Sequence, residues 1–487
     1  MLDIKISEVA ELCQGTAYLP DNTGKLVTED KITGVTLDSR KVEPGFVFVA
    51  TRGERVDGHD FINEVFEKGA VGVICEKLPG NYKELSGVCV LVEDSVAALK
   101  QMALSYREKL GEKVKFVGIT GSVGKTSTKE FVAGALGQSF KVHKTRGNQN
   151  NQIGVPLEIL SITPDIDIAV LEMGISEFGE MEKLSALVRP DVALITNIGE
   201  CHLENLIDRD GVLKAKTAVF NSMSEQGYAV LNGFDDKLCT VENVKGRQPL
   251  RFGNEYDNAY ASDIVDNGLL GSDVTIHVKG VKNCNDMSFK VHVPLPGKHM
   301  INNALAATVV GILFGMDTAA IKQGIEGVQA TQGRSNVIAA KKYVVVDDCY
   351  NANPTSMRAA IDMLKEAKGR TVAVLGDMFE LGKDTALLHR KTGTYAAQKG
   401  IDVIVCVGEL AKNMYEGAVE AADMSKCLYF ENKELLTEVI DDIFMKDDTI
   451  LVKVLECIIT YTRNILCDFL WSKLCISCFA LIFLDMN

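Results

Sequence analysis

The chain has 487 residues, 46% of them hydrophobic and 24% charged; these are ordinary globular values, and the length suits about three domains. A formal net charge of −14 with no basic stripe argues against a nucleic-acid partner but leaves room for a small anionic ligand in a local basic pocket. The N-terminus, Met1 to Glu8, has no apolar signal core, and nine of the thirteen cysteines are scattered before residue 450 without paired or zinc-like spacing, so a cytoplasmic protein with reduced thiols and no structural zinc is expected.

The first 110 residues or so mix short strand-like runs (Phe46 to Ala50, Val71 to Cys75, Val88 to Val92) with short helical stretches. The polar segment Glu108 to Lys115 breaks this pattern and marks a boundary. An apolar run, Val114 to Ile119, then feeds into Gly118-Ile119-Thr120-Gly121-Ser122-Val123-Gly124-Lys125-Thr126-Ser127-Thr128, and a helix-compatible segment, Ser127 to Leu136, leaves it. Gly121 and Gly124 let backbone N–H groups face a polyphosphate. Lys125 can neutralise phosphate charge and the Thr126 hydroxyl can ligate magnesium. The usual spacing wants a glycine five residues before Gly124, where Ile119 stands. A glycine-rich turn without a ligand is the bland alternative, and the strand-loop-helix context argues against it.

Further on, the strand-like run Ile168 to Glu172 ends in a carboxylate, where a magnesium beside a phosphate loop needs a hard oxygen ligand; a solvent-facing or helix-capping Glu172 is the competing reading. A second run, Val192 to Thr196, leads through Asn197-Ile198-Gly199-Glu200-Cys201 to His202. A lone histidine is more often structural than a ligand, but beside Glu172 a metal role is favoured. Lys216, in a helical run, reads by itself as part of a solvated face. Gly297 to Ala307 reads as a helix start whose Asn302 and Asn303 can hydrogen-bond a base. Strand-helix alternation is expected from Lys113 to about Gly333. A second alternation follows from Lys342, with strands at Tyr343 to Val346, Thr371 to Leu375, Val403 to Val407 and Ile450 to Lys453, and helices at Ser356 to Lys368 and Thr385 to Gln398.

Taken together, Thr120 to Thr126, Glu172-Met173-Gly174, His202, Lys216 and Asn302-Asn303 resemble the Mur ligase family, which forms amide bonds in peptidoglycan precursor synthesis. Gly147 to Pro156, Asp347 to Pro354 and Leu375 to Gly382 resemble the branch that joins D-alanyl-D-alanine to UDP-N-acetylmuramoyl-tripeptide. Asp38-Ser39-Arg40, Pro44-Gly45 and Asp57 to Phe61 resemble the family's uridine-nucleotide domain. The resemblance covers residues 1 to about 453.

It implies an α/β protein of three domains: a small α/β UDP-binding domain (1–110), a central P-loop ATPase-type parallel sheet (111–332) and a C-terminal Rossmann-like domain (333–453). It implies ATP and Mg2+, with an acyl phosphate formed on the tripeptide carboxylate and then attacked by the dipeptide amine. Lys125 would hold the β- and γ-phosphates, Thr126 and Glu172 one magnesium, and His202 a second. Lys216 matches the lysine that the family carbamylates. Arg334 matches the arginine that reaches the γ-phosphate from the last domain, against the alternative of a surface salt bridge. Asp348 and Asn351 would lie near the nucleotide, Asn150 and Asn151 near the UDP-sugar-peptide, and Ser39 and Arg40 near the uridine. A monomer is expected. Another Mur ligase, or a folylpolyglutamate synthase, shares the phosphate loop and the lysine, but the Asn150-Asn151 and Leu375 to Gly382 stretches argue against both. A P-loop nucleotidase and a binding-only remnant are the rivals from other classes.

After Lys453 the family pattern stops. Val454 to Asn487 holds 23 apolar residues in 34, four cysteines, the lone Trp471 and no glycine. Its longest uncharged run, Leu474 to Leu484, is 11 residues, short of the roughly 20 of a membrane span. The compositional mismatch reads as a non-native tail that weakens the third domain.

Overall fold

The computed structural model describes residues 2–21, 30–53, 56–281, 284–421 and 427–454. The apolar segment 455–487, on which the expectation of a non-native tail rests, lies outside the described residues. The fold is α/β, with three sheets among the described residues. Among the described residues no helix is long and apolar enough to cross a membrane.

The first sheet runs, in spatial order, Thr16–Tyr18, Val88–Leu91, Gly72–Cys75, Phe46–Val49 and Gly34–Thr36. All neighbours pair in parallel except Thr16–Tyr18, which is antiparallel. Its central strands are apolar at nearly every position because helices and loops cover both faces. The helix Ser95–Leu110 follows, capped by the Asp94 carboxylate, which accepts from the N–H groups of Val96 and Ala97. Ala98, Leu99, Met102, Ala103, Tyr106 and Leu110 form its buried stripe at helical spacing. That stripe serves two sheets at once. Tyr106 Oη donates to the Ile162 carbonyl at 2.6 Å, Arg107 Nε donates to the Val188 carbonyl at 3.1 Å, and the Arg107 guanidinium lies 3.8 Å from the Phe116 ring centroid. The polar stretch Glu108 to Lys115 is the end of this helix and the short turn Gly111–Lys113. One apolar core passes beneath it, from Leu2 through Tyr106 to Val244.

The second sheet has nine strands, in the order Met287–Val293, Ser272–Val278, Ala259–Asp266, Leu250–Gly253, Tyr228–Asn232, Val192–Ile195, Lys115–Thr120, Ile168–Glu172 and Val142–Lys144. From Ala259–Asp266 onward in this order all neighbours are parallel, and the three strands Ala259–Asp266, Ser272–Val278 and Met287–Val293 pair antiparallel. The expectation of continued strand-helix alternation fails here. These strands are joined by connections too short for a crossover helix, so they return as hairpins. On one face pack the helices Lys125–Leu136, Lys298–Leu313 and Thr318–Glu326. Two of them touch backbone to backbone, since a Cβ on Gly324 would lie 2.4 Å from Ala135 Cα.

The third sheet runs Asn336–Ala339, Val344–Asp347, Thr449–Lys453, Thr371–Gly376, Val403–Val407 and Cys427–Phe430. Only Asn336–Ala339 is antiparallel. The last strand among the described residues, Thr449–Lys453, fills the centre. Separate apolar clusters cover the two faces, one on the helices Pro354–Lys365, Thr385–Gln398 and Ala411–Ala421, the other on Lys433–Ile443.

Candidate active site

Parallel sheets present their binding loops at the C-terminal ends of their strands, and here two such edges face one another across a cavity of about 420 Å3. From the second sheet it is lined by Ser122, Gly124, Lys125, Thr126, Asn150, Asn151, His202, Asn302 and Asn303, and from the third by Arg334, Asp348, Asn351 and Lys453. Thirteen expected or neighbouring positions far apart in sequence thus meet in one place.

The glycine loop is tightly bound to its neighbour. Gly121 has φ +148° and a Cβ there would lie 1.9 Å from Thr196 Oγ1; Gly124 has φ +81° and caps the helix Lys125–Leu136. The amides of Ser122 and Val123 donate to Asn197, to its carbonyl and its Oδ1, each at 3.0 Å. Asn197 Nδ2 returns a bond to the Val123 carbonyl at 3.0 Å. The N–H groups left for an anion are therefore those opening the helix. Lys125 Nζ donates to the Gly121 carbonyl at 2.8 Å. Burial, and then the nearby Lys216 ammonium, holds its pKa down to about 8.

Glu172 ends its strand fully buried. Its Oε2 accepts from Thr126 Oγ1 and from Asn150 Nδ2, both at 3.3 Å. Its Oε1 has no hydrogen bond but lies 3.2 Å from Lys129 Nζ. The solvent-facing alternative is therefore excluded. A buried carboxylate that turns one oxygen, Oε2, toward the Thr126 hydroxyl, with a phosphate-type loop next to both, is a donor set that fits magnesium. That ion takes one or two carboxylates and completes its shell with phosphates and water. Among the described residues no group of three or more His, Cys, Asp or Glu converges as an all-protein metal cage would.

His202 lines the cavity in a left-handed conformation, φ +51°. Its Nδ1 lies 2.5 Å from Oε2 of Glu380, a residue of the third sheet's Leu375 to Gly382 stretch that also has positive φ, +60°. The remaining ring nitrogen, Nε2, is the one a metal would use. Lys216, on the helix Arg209–Thr217, is 1% exposed. It does not line the cavity, and its ammonium has no hydrogen-bond or ion-pair partner among the described residues. The solvated-face reading is overturned, and burial lowers its pKa.

Asn303 Oδ1 accepts from Thr128 Oγ1 at 2.8 Å, tying the helix Lys298–Leu313 to the helix Lys125–Leu136. Asn151 Oδ1 accepts from the Ile153 and Gly154 amides, which leaves its Nδ2 for a ligand. Arg334 stacks on Tyr350, 3.8 Å from the ring centroid, and makes no ion pair among the described residues, so the surface salt bridge is not formed. Asp348 is paired with Lys453 at 2.5 Å and accepts from the Ser335 amide at 3.1 Å. Ser39 and Arg40 are not on this cavity. They form a short turn on the first sheet, where Arg40 is exposed and donates through Nε and Nη2 to Asp38 at 2.8 and 2.9 Å.

Sequence reading missed Asn197, Lys129, Glu380, Tyr350 and Lys453 as site residues. Asn197, Glu380 and Tyr350 stood inside motifs already singled out, and Lys453 at the end of the recognisable pattern. Lys129 carried no signal of its own.

Residues 31–107 match the catalytic domain of the Mur ligase family, 119–311 the Mur ligase middle domain and 333–453 the Mur ligase glutamate ligase domain. A UDP-N-acetylmuramoyl-tripeptide--D-alanyl-D-alanine ligase of Bacillus subtilis is 36% identical over 456 residues, 93% of this chain and 96% of its own. The crystal structure of MurF from Acinetobacter baumannii superposes with a TM-score of 0.83 at 30% identity, covering 94% of this chain and 97% of the other. MurF ligase from Thermotoga maritima in complex with ADP gives 0.74 at 30% identity, covering 87% and 94%.

Proposed function

The chain belongs to the Mur ligase family, and from that premise we propose that it joins D-alanyl-D-alanine to UDP-N-acetylmuramoyl-tripeptide at the expense of ATP, in the cytoplasm and as a monomer. The observation that carries the reading is the facing of Lys125 and Thr126 by Arg334 across one cavity, with the Glu172 carboxylate hydrogen-bonded to Thr126 behind them. The uridine end is bound on the first sheet at Ser39 and Arg40, and the reading divides the chain at 1–110, 111–332 and 333–453.

ATP lies with its phosphates over the helix Lys125–Leu136. Gly121, Ser122 and Gly124 shape the loop, Lys125 holds the β- and γ-phosphates, and Asn302, Asn303, Asp348 and Asn351 hold the nucleoside end. Magnesium, when bound, neutralises charge on the transferring phosphoryl group; Thr126 and Glu172 are the residues that would hold one ion, and His202, with Lys216 as its carbamate, those that would hold a second. An oxygen of the tripeptide carboxylate attacks the γ-phosphorus and ADP leaves, giving an acyl phosphate. The dipeptide amine then attacks the acyl carbon, its proton is lost, and the C–O bond to phosphate breaks. Negative charge builds first on the phosphoryl oxygens and then on the tetrahedral oxygen. Arg334 and Lys125, preorganised and partly desolvated, stabilise it without reorganising. Asn150 and Asn151 hold the peptide end.

Lys216 serves as a carbamate. Burial lowers its pKa and so supplies the neutral amine that carbon dioxide requires. The amine nitrogen bonds to the carbon of carbon dioxide and one N–H proton passes to water; the product is an anion with two oxygens, which the cationic neighbour Lys125 stabilises.

Phosphate release with ATP, Mg2+, tripeptide nucleotide and D-alanyl-D-alanine, omitting each in turn, tests the reading. Release needing both substrates, with a pentapeptide product by mass, is expected. ADP formation without the pentapeptide product overturns it in favour of a nucleotidase. Running diaminopimelate- and lysine-containing tripeptides side by side identifies the substrate. In Lys216→Ala, activity falls below detection and returns with added short carboxylates; unchanged activity removes the carbamate from the scheme.

A further inference from the structure

Lys129 stands four residues after Lys125 on the same helix, yet it is 2% exposed. Burying a lysine ammonium is costly unless it is paired, and, unlike Lys216, this one has three oxygens around it. Nζ donates to the Thr145 carbonyl at 2.8 Å and lies 3.1 Å from Glu130 Oε1 and 3.2 Å from Glu172 Oε1. Glu130 is also paired with Lys144, so its charge is met without Lys129. Thr145 grips the other side of Glu172, its Oγ1 accepting the Glu172 N–H at 2.9 Å. The carboxylate is thereby divided: Oε1 faces Lys129, while Oε2 faces Thr126 Oγ1 and Asn150 Nδ2.

We propose that Lys129 is a positioning residue for Glu172, fixing the carboxylate through Oε1 so that Oε2 is held beside the Thr126 hydroxyl, where a nucleotide-borne divalent cation is received. The proposal rests on the reading of Glu172 as a metal-holding residue. A carboxylate with both oxygens free would turn about its terminal torsion, which is broad. Anchoring one oxygen leaves a single presentation of the other, and supporting contacts of this kind are worth about 10–100-fold in metal affinity.

The test is binding of Mn2+ with a non-hydrolysable ATP analogue, followed by electron paramagnetic resonance, beside binding of the analogue without metal. In Lys129→Met the metal-dependent gain in affinity is expected to fall about 10–100-fold, with metal-free binding changed less than about 3-fold. Lys129→Arg, which keeps a cation there should the methionine variant fail to fold, is expected to retain most of the gain. In a Glu172→Gln background, Lys129→Met is expected to have no further effect on that gain, because Lys129 acts through the carboxylate. Tighter Mn2+ binding in Lys129→Met overturns the proposal, making Lys129 a competing counter-ion. Equal losses with and without metal overturn it too, making Lys129 a structural residue of the helix. If Glu172→Gln alone leaves the metal-dependent gain unchanged, the reading of Glu172 itself fails, an outcome distinct from failure at Lys129.

Discussion

The two junctions of this molecule are built from different materials. Between the first and second sheets the contact is apolar and continuous, with the helix Ser95–Leu110 contributing one buried stripe to both and Tyr106 closing it with a buried hydrogen bond. Between the second and third sheets the contact is a cavity edged by polar pairs, His202 with Glu380 and Glu200 with Arg358, and the apolar contact is limited to residues such as Leu203 and Leu269 against one of the third sheet's two clusters. An apolar junction cannot part without exposing core to water, at about 25 cal/mol for each Å2. A polar one exchanges its bonds for bonds to water at small net cost. The first two sheets therefore form one body, and the site lies where a second body can approach and withdraw, as a reaction needing entry, exclusion of water and release requires.

Tyr106→Ala strikes the apolar junction and carries the largest expected effect, about 3–5 kcal/mol. Hydrogen exchange is expected to show amides of both sheets weakened together, those of the third unchanged; losses confined to the first sheet would break the comparison. Acid sharpens the contrast from the other side. His389 is fully buried, with Nε2 accepting from the Met378 amide and Nδ1 donating to the Thr385 carbonyl. Burial lowers its folded pKa below the ordinary 6.5, so below that pH the unfolded chain takes up a proton that the folded one refuses. Stability is intact above 6.5 and declines as pH falls, by at most about 1.4 kcal/mol per pH unit. The decline is expected in the third sheet alone, and His389→Gln should flatten it in melts at pH 7.5, 6.5 and 5.5. Glu200→Gln, at the polar junction, is the gentlest change. The ion pair is partly exposed, so less than about 1 kcal/mol is expected in denaturant unfolding, and a loss as large as that of Tyr106→Ala would erase the distinction between the junctions.

How far these features can be read in advance depends on how local their causes are. Ile168–Glu172, Val403–Val407 and Thr385–Gln398 have the bounds that their apolar patterns predict. Their hydrophobic runs are bounded by turn residues, and nothing distant is needed to define them. The hairpin strand Ala259–Asp266 is half exposed and carries Ser262, Asp263 and Asp266, so its pattern is too weak to separate from a loop. The phosphate loop was legible because its chemistry lies in consecutive residues. Lys129 was not: a lysine on a helix reads as solvated until the fold brings Thr145 and Glu172 to it. Glu380 was visible as part of a motif, but its partner, His202, lies 178 positions away, and only the docking of two sheets gives the motif a use.

The central place of Thr449–Lys453 in the third sheet bears on the order in which the protein is made. Val344–Asp347 and Thr371–Gly376 do not pair with each other; both pair with Thr449–Lys453. During synthesis, at about 5–20 residues per second, the first two sheets can assemble while the third still lacks its middle strand. Lys453, which neutralises Asp348 at the cavity wall, arrives with that strand. Until it emerges from the ribosome, the nascent chain carries a finished phosphate loop with no opposing wall.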